Sequence, residues 1–280
     1  MKKTLLLLFA FTLFLTGSVF SQTINATSYY FNVANSSMPV ITATQLIGPN
    51  SDNVASAVTP IGFNFYFAGT LYTQFSVSEN GLMTLGSTQI SGADVVNDMG
   101  SGITLPKIAP YWDDLTTGTN GSVGYQVTGT APNRVLIVKW NVTVPKNIAA
   151  AANTTFWAQI YEQGSIYFSF INTAFPVNTA YYTMGIGASS TDFASVTVNS
   201  SQTFSTIAYG ASYNLNGISP ATITQSKRYQ FSADNTAPSF TTETIPNSFG
   251  TANRTITNTI RDQTPFSQIG VPTSGSLVPR

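Results

Sequence analysis

Cysteine and histidine are both absent from the 280-residue chain, and charged residues make up only 8% of it. Without these two residue types the chain cannot form a disulfide, a Ser-His-Asp or Cys-His catalytic site, or a zinc site with histidine or thiolate ligands. The fold must therefore be stabilised by core burial, which is feasible at this length. Only carboxylate, lysine and tyrosine chemistry and hard-cation binding remain, and we predict that these residues form no enzyme.

The first 21 residues have the pattern of a secretory signal peptide. Lys2 and Lys3 give a positive start, and residues 4–15 form an apolar stretch that is too short to span a membrane. Val19 and Ser21 occupy the third and first positions before a cleavage site at Ser21-Gln22. We therefore expect a protein that is secreted or displayed on the cell surface.

Charge and hydropathy exclude two further classes. No later stretch has the ~20 apolar residues of a membrane span, so no transmembrane segment is expected. Loss of Lys2 and Lys3 leaves nine basic residues (11 − 2) against 11 acidic ones. Because no basic stripe is present, nucleic acid is not an expected partner.

Alternating polar and apolar residues predict an all-β fold. Residues 61–67 place Ile61, Phe63, Phe65 and Phe67 on one face, and Asn80-Gly81 and Gln163-Gly164 each separate two such segments, as in β-hairpins. Pro110 argues against a central strand around residue 110. Many short strands without helical crossovers predict an antiparallel β-sandwich or jelly-roll-like domain over residues 22–233. Residues 234–238 are typical of a linker.

Five segments between residues 61 and 170 occur in a recognisable order: an aromatic strand, an Asn-Gly hairpin, an Ala-Pro-Tyr-Trp-Asp-Asp segment and two further strands. Together they resemble the nidogen-type (NIDO-like) extracellular β-domain of large secreted proteins. Glu79 departs from the small residue expected before Asn-Gly. The segments are residues 62–67, 75–85, 108–115, 134–140 and 155–162.

From residue 234 the chain resembles the start of a bacterial immunoglobulin-like repeat, with a Gly-Val-Pro-Thr turn at residues 270–273 followed by residues 277–280. We therefore expect residues 234–280 to be a linker and the truncated start of such a repeat; a thrombin-site tag scar is the alternative for residues 276–280. The resemblance implies a protein with further repeats and a type 9 secretion sorting domain. Attachment to the outer membrane through a region beyond residue 280 would follow.

Oxygen-bearing side chains predict one candidate metal site. Asp113 and Asp114 follow Trp112, and with Asn80 and Glu79 they could bind calcium, which takes hard oxygen ligands in loops. Asp94 and Asp98 could add ligands. The alternative is structural: Asp113 would accept backbone N–H bonds in a turn and Asp114 would face solvent. No other cofactor is expected.

Aromatic and acidic residues offer two more candidate sites. Trp112, Trp140 and Trp157 could stack on sugar rings, but their apolar strands favour core packing. Glycoside hydrolysis needs two carboxylates in one cleft, and nothing in the sequence brings the three glutamates, Glu79, Glu162 and Glu243, together.

We therefore predict a non-catalytic adhesion or interaction module of a larger secreted or cell-surface bacterial protein, with an extracellular glycan or protein surface as its partner. Two alternatives stay open. One is an accessory domain of a secreted protease or glycosidase whose catalytic domain lies beyond residue 280. The other is a calcium-stabilised structural spacer.

Overall fold

The computed structural model describes residues 25–101, 103–170, 181–198, 205–209, 215–217, 226–233, 239–241 and 259–261. The predicted signal peptide and most of the predicted immunoglobulin-like segment lie outside these residues. Within them, no helix is long and apolar enough to cross a membrane.

Strands dominate the described chain, beside one three-residue 3-10 turn at Ala26–Ser28. The first eight strands are β1 (Tyr30–Asn35), β2 (Thr44–Ile47), β3 (Thr59–Phe67), β4 (Thr70–Val77), β5 (Met83–Leu85), β6 (Lys107–Trp112), β7 (Ser122–Thr128) and β8 (Val135–Val142). The others are β9 (Thr154–Tyr161), β10 (Ile166–Phe170), β11 (Tyr181–Gly187), β12 (Phe193–Val198), β13 (Ser205–Tyr209), β14 (Leu215–Gly217), β15 (Lys227–Ser232), β16 (Ser239–Thr241) and β17 (Thr259–Arg261).

Two antiparallel sheets form the sandwich. Among the described residues, the first sheet has the strand order β1-β15-β10-β9-β8-β7-β2. The second has the order β13-β12-β11-β6-β5-β4-β3, with β14 paired to β11. A separate pair, β16 and β17, lies after the sandwich strands in sequence. The predicted all-β, antiparallel sandwich is confirmed.

Strand periodicity builds the core from both sheets. Along β3 the odd-numbered residues from Ile61 to Phe67 are buried and the even-numbered ones are exposed, as the alternation predicts. The inward residues of both sheets form one hydrophobic cluster. At its centre Phe156 of β9 lies 5.4 Å, between ring centroids, from Trp140 of β8 and 5.4 Å from Tyr111 of β6. The last of these contacts joins the two sheets.

The expectation about Pro110 is wrong. Pro110 lies inside β6, which is a central strand between β5 and β11. The pairing of β6 with β11 shifts register between Thr183 and Gly185, which is opposite the segment that contains Pro110. The missing N–H of proline is tolerated because the regular ladder is interrupted there.

Both predicted hairpins are confirmed. Strands β4 and β5 pair across the Asn80-Gly81 turn, and β9 and β10 pair across Gln163-Gly164. The predicted domain boundary at residue 233 stays a prediction; β15 ends at Ser232.

Replacement of Phe156 by alanine tests the inter-sheet core. Phe156 is fully buried, so the free energy of unfolding should fall by about 3–5 kcal/mol through lost burial and the cavity left behind. The matched control is Tyr181→Ala, which removes an aromatic ring that is 55% exposed and should change stability by less than about 1 kcal/mol. Urea unfolding measures both. Similar losses for the two variants would contradict the described core.

Candidate functional site

Asn80 stands at the centre of a buried polar cluster that we call the hairpin hub, formed by Glu79, Asn80, Gly81 and the backbone of residues 111–115. The Asn80 side-chain oxygen accepts a hydrogen bond from Leu115 N (2.8 Å), and its amide nitrogen donates to Gly92 O (2.7 Å). The Asn80 backbone oxygen also accepts a bond from Asp113 N (3.1 Å). One fully buried asparagine thus satisfies three backbone groups from two loops.

The absence of a side chain at Gly81 allows the β4–β5 turn to lie close to the backbone of Tyr111. The φ of Gly81 is +73°, and a Cβ at this position would lie 1.8 Å from Tyr111 O and 3.2 Å from the Phe156 ring. The neighbouring residue Ser78 accepts a hydrogen bond from Trp140 Nε1 (2.8 Å) through its backbone oxygen. Since Trp140 belongs to the first sheet and Ser78 follows β4 of the second, this hydrogen bond next to the hub ties the two sheets together.

Glu79 is fully buried and fastens a further loop to the hub. Its two carboxylate oxygens accept from Val54 N at 3.0 and 2.9 Å. Burial raises the pKa of the Glu79 carboxyl to about 7, against an opposing effect of these hydrogen bonds.

Asp113 and Asp114 differ in their burial and in their hydrogen-bond partners. Asp113 Oδ1 accepts from Asp114 N (2.8 Å) and from Asn97 Nδ2 (3.2 Å), and burial raises the pKa of its carboxyl to about 6. Asp114 is half-exposed and pairs with Lys146 Nζ (2.8 Å), which also contacts Asp52 Oδ1 (2.8 Å). Lys146 therefore places a positive charge between the carboxylates of Asp114 and Asp52.

Lys107 supplies a positive charge near Asp94 and Asp98. It is fully buried and its Nζ donates to the backbone oxygens of Met99 and Ser101. Burial lowers the pKa of the Lys107 ammonium, while the negative charges of Asp94 and Asp98 act in the opposite direction.

The residues predicted to bind calcium are bonded to other groups of the protein, and their arrangement is not that of a calcium site. The described part of the chain contains no group of three or more acidic residues placed to hold a metal ion. Asn80 and Glu79 already accept backbone N–H groups, and Asp114 is paired with a lysine. Calcium binding by Asp113, Asp114, Asn80 and Glu79 stays a prediction that this geometry does not favour.

All three tryptophans lie in the core, as their apolar strands predict. Trp112 and Trp140 are fully buried and Trp157 is 3% exposed. A tryptophan surface for sugar stacking is therefore excluded. Tyr66, by contrast, is 58% exposed and lines a surface depression.

Two adjacent depressions along β3, which share Glu162, form what we call the β3 groove. The first is a shallow, open depression with a volume of about 500 Å³, and the second has a volume of about 390 Å³. Residues of the first include Pro60, Gly62, Asn64, Thr73, Arg134 and Glu162. Residues of the second include Tyr29, Tyr66, Ala68, Glu162, Gln163 and Gly164.

The outward residues of the β3–β4 hairpin contribute side chains to this groove. The alternation that buries Phe63, Phe65 and Phe67 turns Asn64 and Tyr66 to the surface. Tyr66 lies opposite Leu71 in the antiparallel register, and both remain exposed. An exposed aromatic ring at a surface depression is a feature of binding surfaces rather than of cores.

Arg134 and Glu162 join the first sheet to β3. Arg134 Nε donates to Glu162 Oε2 (2.9 Å), Nη2 donates to Glu162 Oε1, and Nη1 donates to Gly62 O (2.9 Å). The guanidinium also lies 5.5 Å from the centroid of the Phe63 ring. Pairing with Arg134 lowers the pKa of the Glu162 carboxyl, so the groove contains a matched pair of opposite charges.

The glutamates do not form a described carboxylate pair of the kind that glycoside hydrolysis requires. Glu79 is sealed in the hub, Glu162 is bonded to Arg134 on the surface, and Glu243 lies outside the described residues.

Sequence reasoning identified the hub residues but missed the groove. The signal for Tyr66 was present: a large aromatic residue on the polar face of an alternating strand. The pairing of Arg134 with Glu162 had no local signal, because the two residues are 28 positions apart and meet only through the pairing of β8 with β9.

The model of the NIDO-related family matches residues 28–242. The chain belongs to this family. The match spans the sandwich, including the hub and the β3 groove, and supports the NIDO-like resemblance. The match ends at residue 242, and the immunoglobulin-like repeat stays a prediction. No curated protein and no solved structure matches the chain at a significant level.

Replacement of Gly81 by alanine should disrupt the hub. The added Cβ meets a backbone oxygen, which cannot move as a flexible side chain can, so we expect the free energy of unfolding to fall by at least about 3 kcal/mol. Gly86→Ala is the matched control. Gly86 also has a positive φ (+109°), but its Cβ would meet only the Tyr72 ring at 3.8 Å, and a loss of about 1–2 kcal/mol is expected from backbone strain. Equal losses in urea unfolding would argue against the close approach at Gly81.

The raised pKa of Glu79 predicts a pH dependence of stability. The ordinary value is 4.5 and the folded value is about 7, so the folded protein binds more protons than the unfolded chain between these pH values. The free energy of unfolding should therefore fall as the pH rises through this window, by up to about 1.4 kcal/mol per pH unit. Asp113 adds a change of the same sign between pH 3.8 and about 6.

Glu79→Gln should remove the part of this dependence between pH 6 and 7, measured by urea unfolding across the range. Glu162→Gln is the control, because its folded-state pKa is lowered and the window lies above it. A Glu79→Gln variant with the same pH profile as the unmodified protein would show that Glu79 titrates normally.

Proposed function

We propose that the protein is a non-catalytic extracellular interaction module that attaches a larger secreted or cell-surface protein to an extracellular surface through the β3 groove. The observation that carries the proposal is the exposed Tyr66 at the β3 groove, on a sandwich whose tryptophans are all buried. Adhesion, secretion and the absence of catalysis are parts of this proposal.

The wider sequence is consistent with this role. A signal-peptide pattern precedes the domain, and no histidine or cysteine is available for common catalytic mechanisms. Membership of the NIDO-related family supports an extracellular interaction module. The low charge of the chain favours recognition by shape and hydrogen bonding over electrostatic attraction.

A hydrogen-bonded scaffold around the groove suits a binding role. Arg134 fixes Glu162 and the backbone of β3 in one arrangement, and the groove walls come from strands and a tight hairpin turn. Binding sites on rigid elements lose less conformational entropy when a ligand binds. The groove is therefore preorganised for binding, which favours affinity for a ligand that makes few contacts.

A surface-binding assay with the full chain tests the proposal. The fluorescently labelled protein is applied to intact cells, purified extracellular matrix and immobilised polysaccharides. A variant in which Asn64, Tyr66 and Thr73 are all replaced by alanine should lose at least about tenfold in bound protein, because three groove side chains are truncated. Tyr181→Ala, an exposed tyrosine outside the groove, should bind like the unmodified protein.

Two outcomes would contradict the proposal. One is a protein that binds none of these surfaces. The other is a triple variant that retains its fold, as shown by its melting temperature, and binds as strongly as the unmodified protein.

A further inference from the structure

We infer that the β3 groove binds a neutral saccharide, with the Tyr66 ring as the stacking platform and the Arg134–Glu162 pair as the hydrogen-bonding group. This inference rests on the proposed function and adds the chemical class of the ligand. It is carried by the charge of the groove, the state of the β3 edge and the exposure of one aromatic ring.

The charge of the groove selects against ionic ligands. Arg134 and Glu162 are the charged residues that line the two depressions, and their side chains form a salt bridge. Because the positive charge is already compensated, the groove has no excess charge to attract a phosphate, a sulfate or an acidic peptide. A neutral ligand binds without breaking this pair.

The same pair retains hydrogen-bonding capacity. A guanidinium has five N–H donors, and the three bonds from Arg134 to Glu162 and Gly62 use three of them. Two N–H donors are therefore not used by these three bonds, and the Arg134 side chain as a whole is 31% exposed. The unused donors lie in the guanidinium plane and can donate to hydroxyl oxygens of a sugar ring.

The β3 edge argues against an extended peptide as the ligand. β3 ends the second sheet, so a peptide could in principle add as a further strand. Pro60 lies on β3, and the register of β3 with β4 shifts between Pro60 and Phe65. The Gly62 carbonyl already accepts a bond from Arg134. Proline, a bulge and an occupied carbonyl all block strand addition.

Tyr66 provides the apolar surface that a sugar requires. Tyr66 is 58% exposed and lines the second depression, and Leu71 lies opposite it on β4. Aromatic faces bind the apolar faces of ligands while polar groups around them give orientation. A ligand that spans both depressions would contact the ring at one end and Arg134 at the other.

Isothermal titration of the full chain with defined oligosaccharides tests the inference. The neutral probes are maltohexaose, cellohexaose, mannohexaose and chitohexaose; a heparin hexasaccharide is the anionic probe, and an unstructured neutral hexapeptide is the peptide probe. We expect at least one neutral saccharide to bind, and the heparin and peptide probes not to bind.

Variants then locate the binding in the groove. Tyr66→Ala should weaken binding by about tenfold or more, whereas Tyr66→Phe, which keeps the ring, should stay within about twofold. Tyr181→Ala should have no effect. Asn64→Ala provides a second groove variant with an expected loss of a few-fold, should Tyr66→Ala fail to fold.

Three results separate the inference from the proposed function. Binding of the heparin or peptide probe that is sensitive to Tyr66→Ala would overturn the neutral saccharide but keep the groove as an interaction site. Saccharide binding that is insensitive to both groove variants would overturn the assignment of this groove. If no neutral saccharide binds while the groove variants still reduce attachment to cells or matrix, the saccharide inference fails alone.

Discussion

The hydrogen bonds of the buried Asn80, in the β4–β5 turn, are the interactions on which the sandwich depends. Asn80 hydrogen-bonds to Leu115 and Gly92, and its neighbours Ser78 and Gly81 contact Trp140 and Tyr111. A chain without disulfides must join its two sheets by packing and buried hydrogen bonds. Buried polar groups of this kind are costly when unpaired, so the turn specifies one relative arrangement of the loops that it joins.

The hub also separates structural residues from those available for binding. Glu79 and Asp113 accept backbone N–H groups and Asp114 pairs with Lys146, so these three carboxylates have little capacity left for a ligand. The β3 groove is different in kind: its aromatic ring is exposed, its charged pair is accessible and its strand edge is blunted. The proposed function is therefore placed at the edge of the sandwich and not at the hub.

Much of the fold could be predicted from local patterns, and the groove could not. Alternation around Phe63 and Phe65 and the Asn80-Gly81 and Gln163-Gly164 turns have local causes, so strands and hairpins follow from sequence. Pro110 misled because a central strand tolerates proline where the neighbouring ladder changes register, and that shift is a tertiary property. The importance of Asp113 and Asn80 was visible, but their partners were not. Arg134 and Glu162 meet only when β8 and β9 pair, so their joint role had no sequence signal.

Native-state hydrogen exchange at the hub tests the central claim that this turn fixes the sandwich. The amides of Leu115 and Asp113 donate to Asn80, which is fully buried. If the hub opens only when the whole domain unfolds, both amides exchange with a free energy equal to that of global unfolding. Exchange of either amide by a local opening that costs far less than global unfolding would contradict the account.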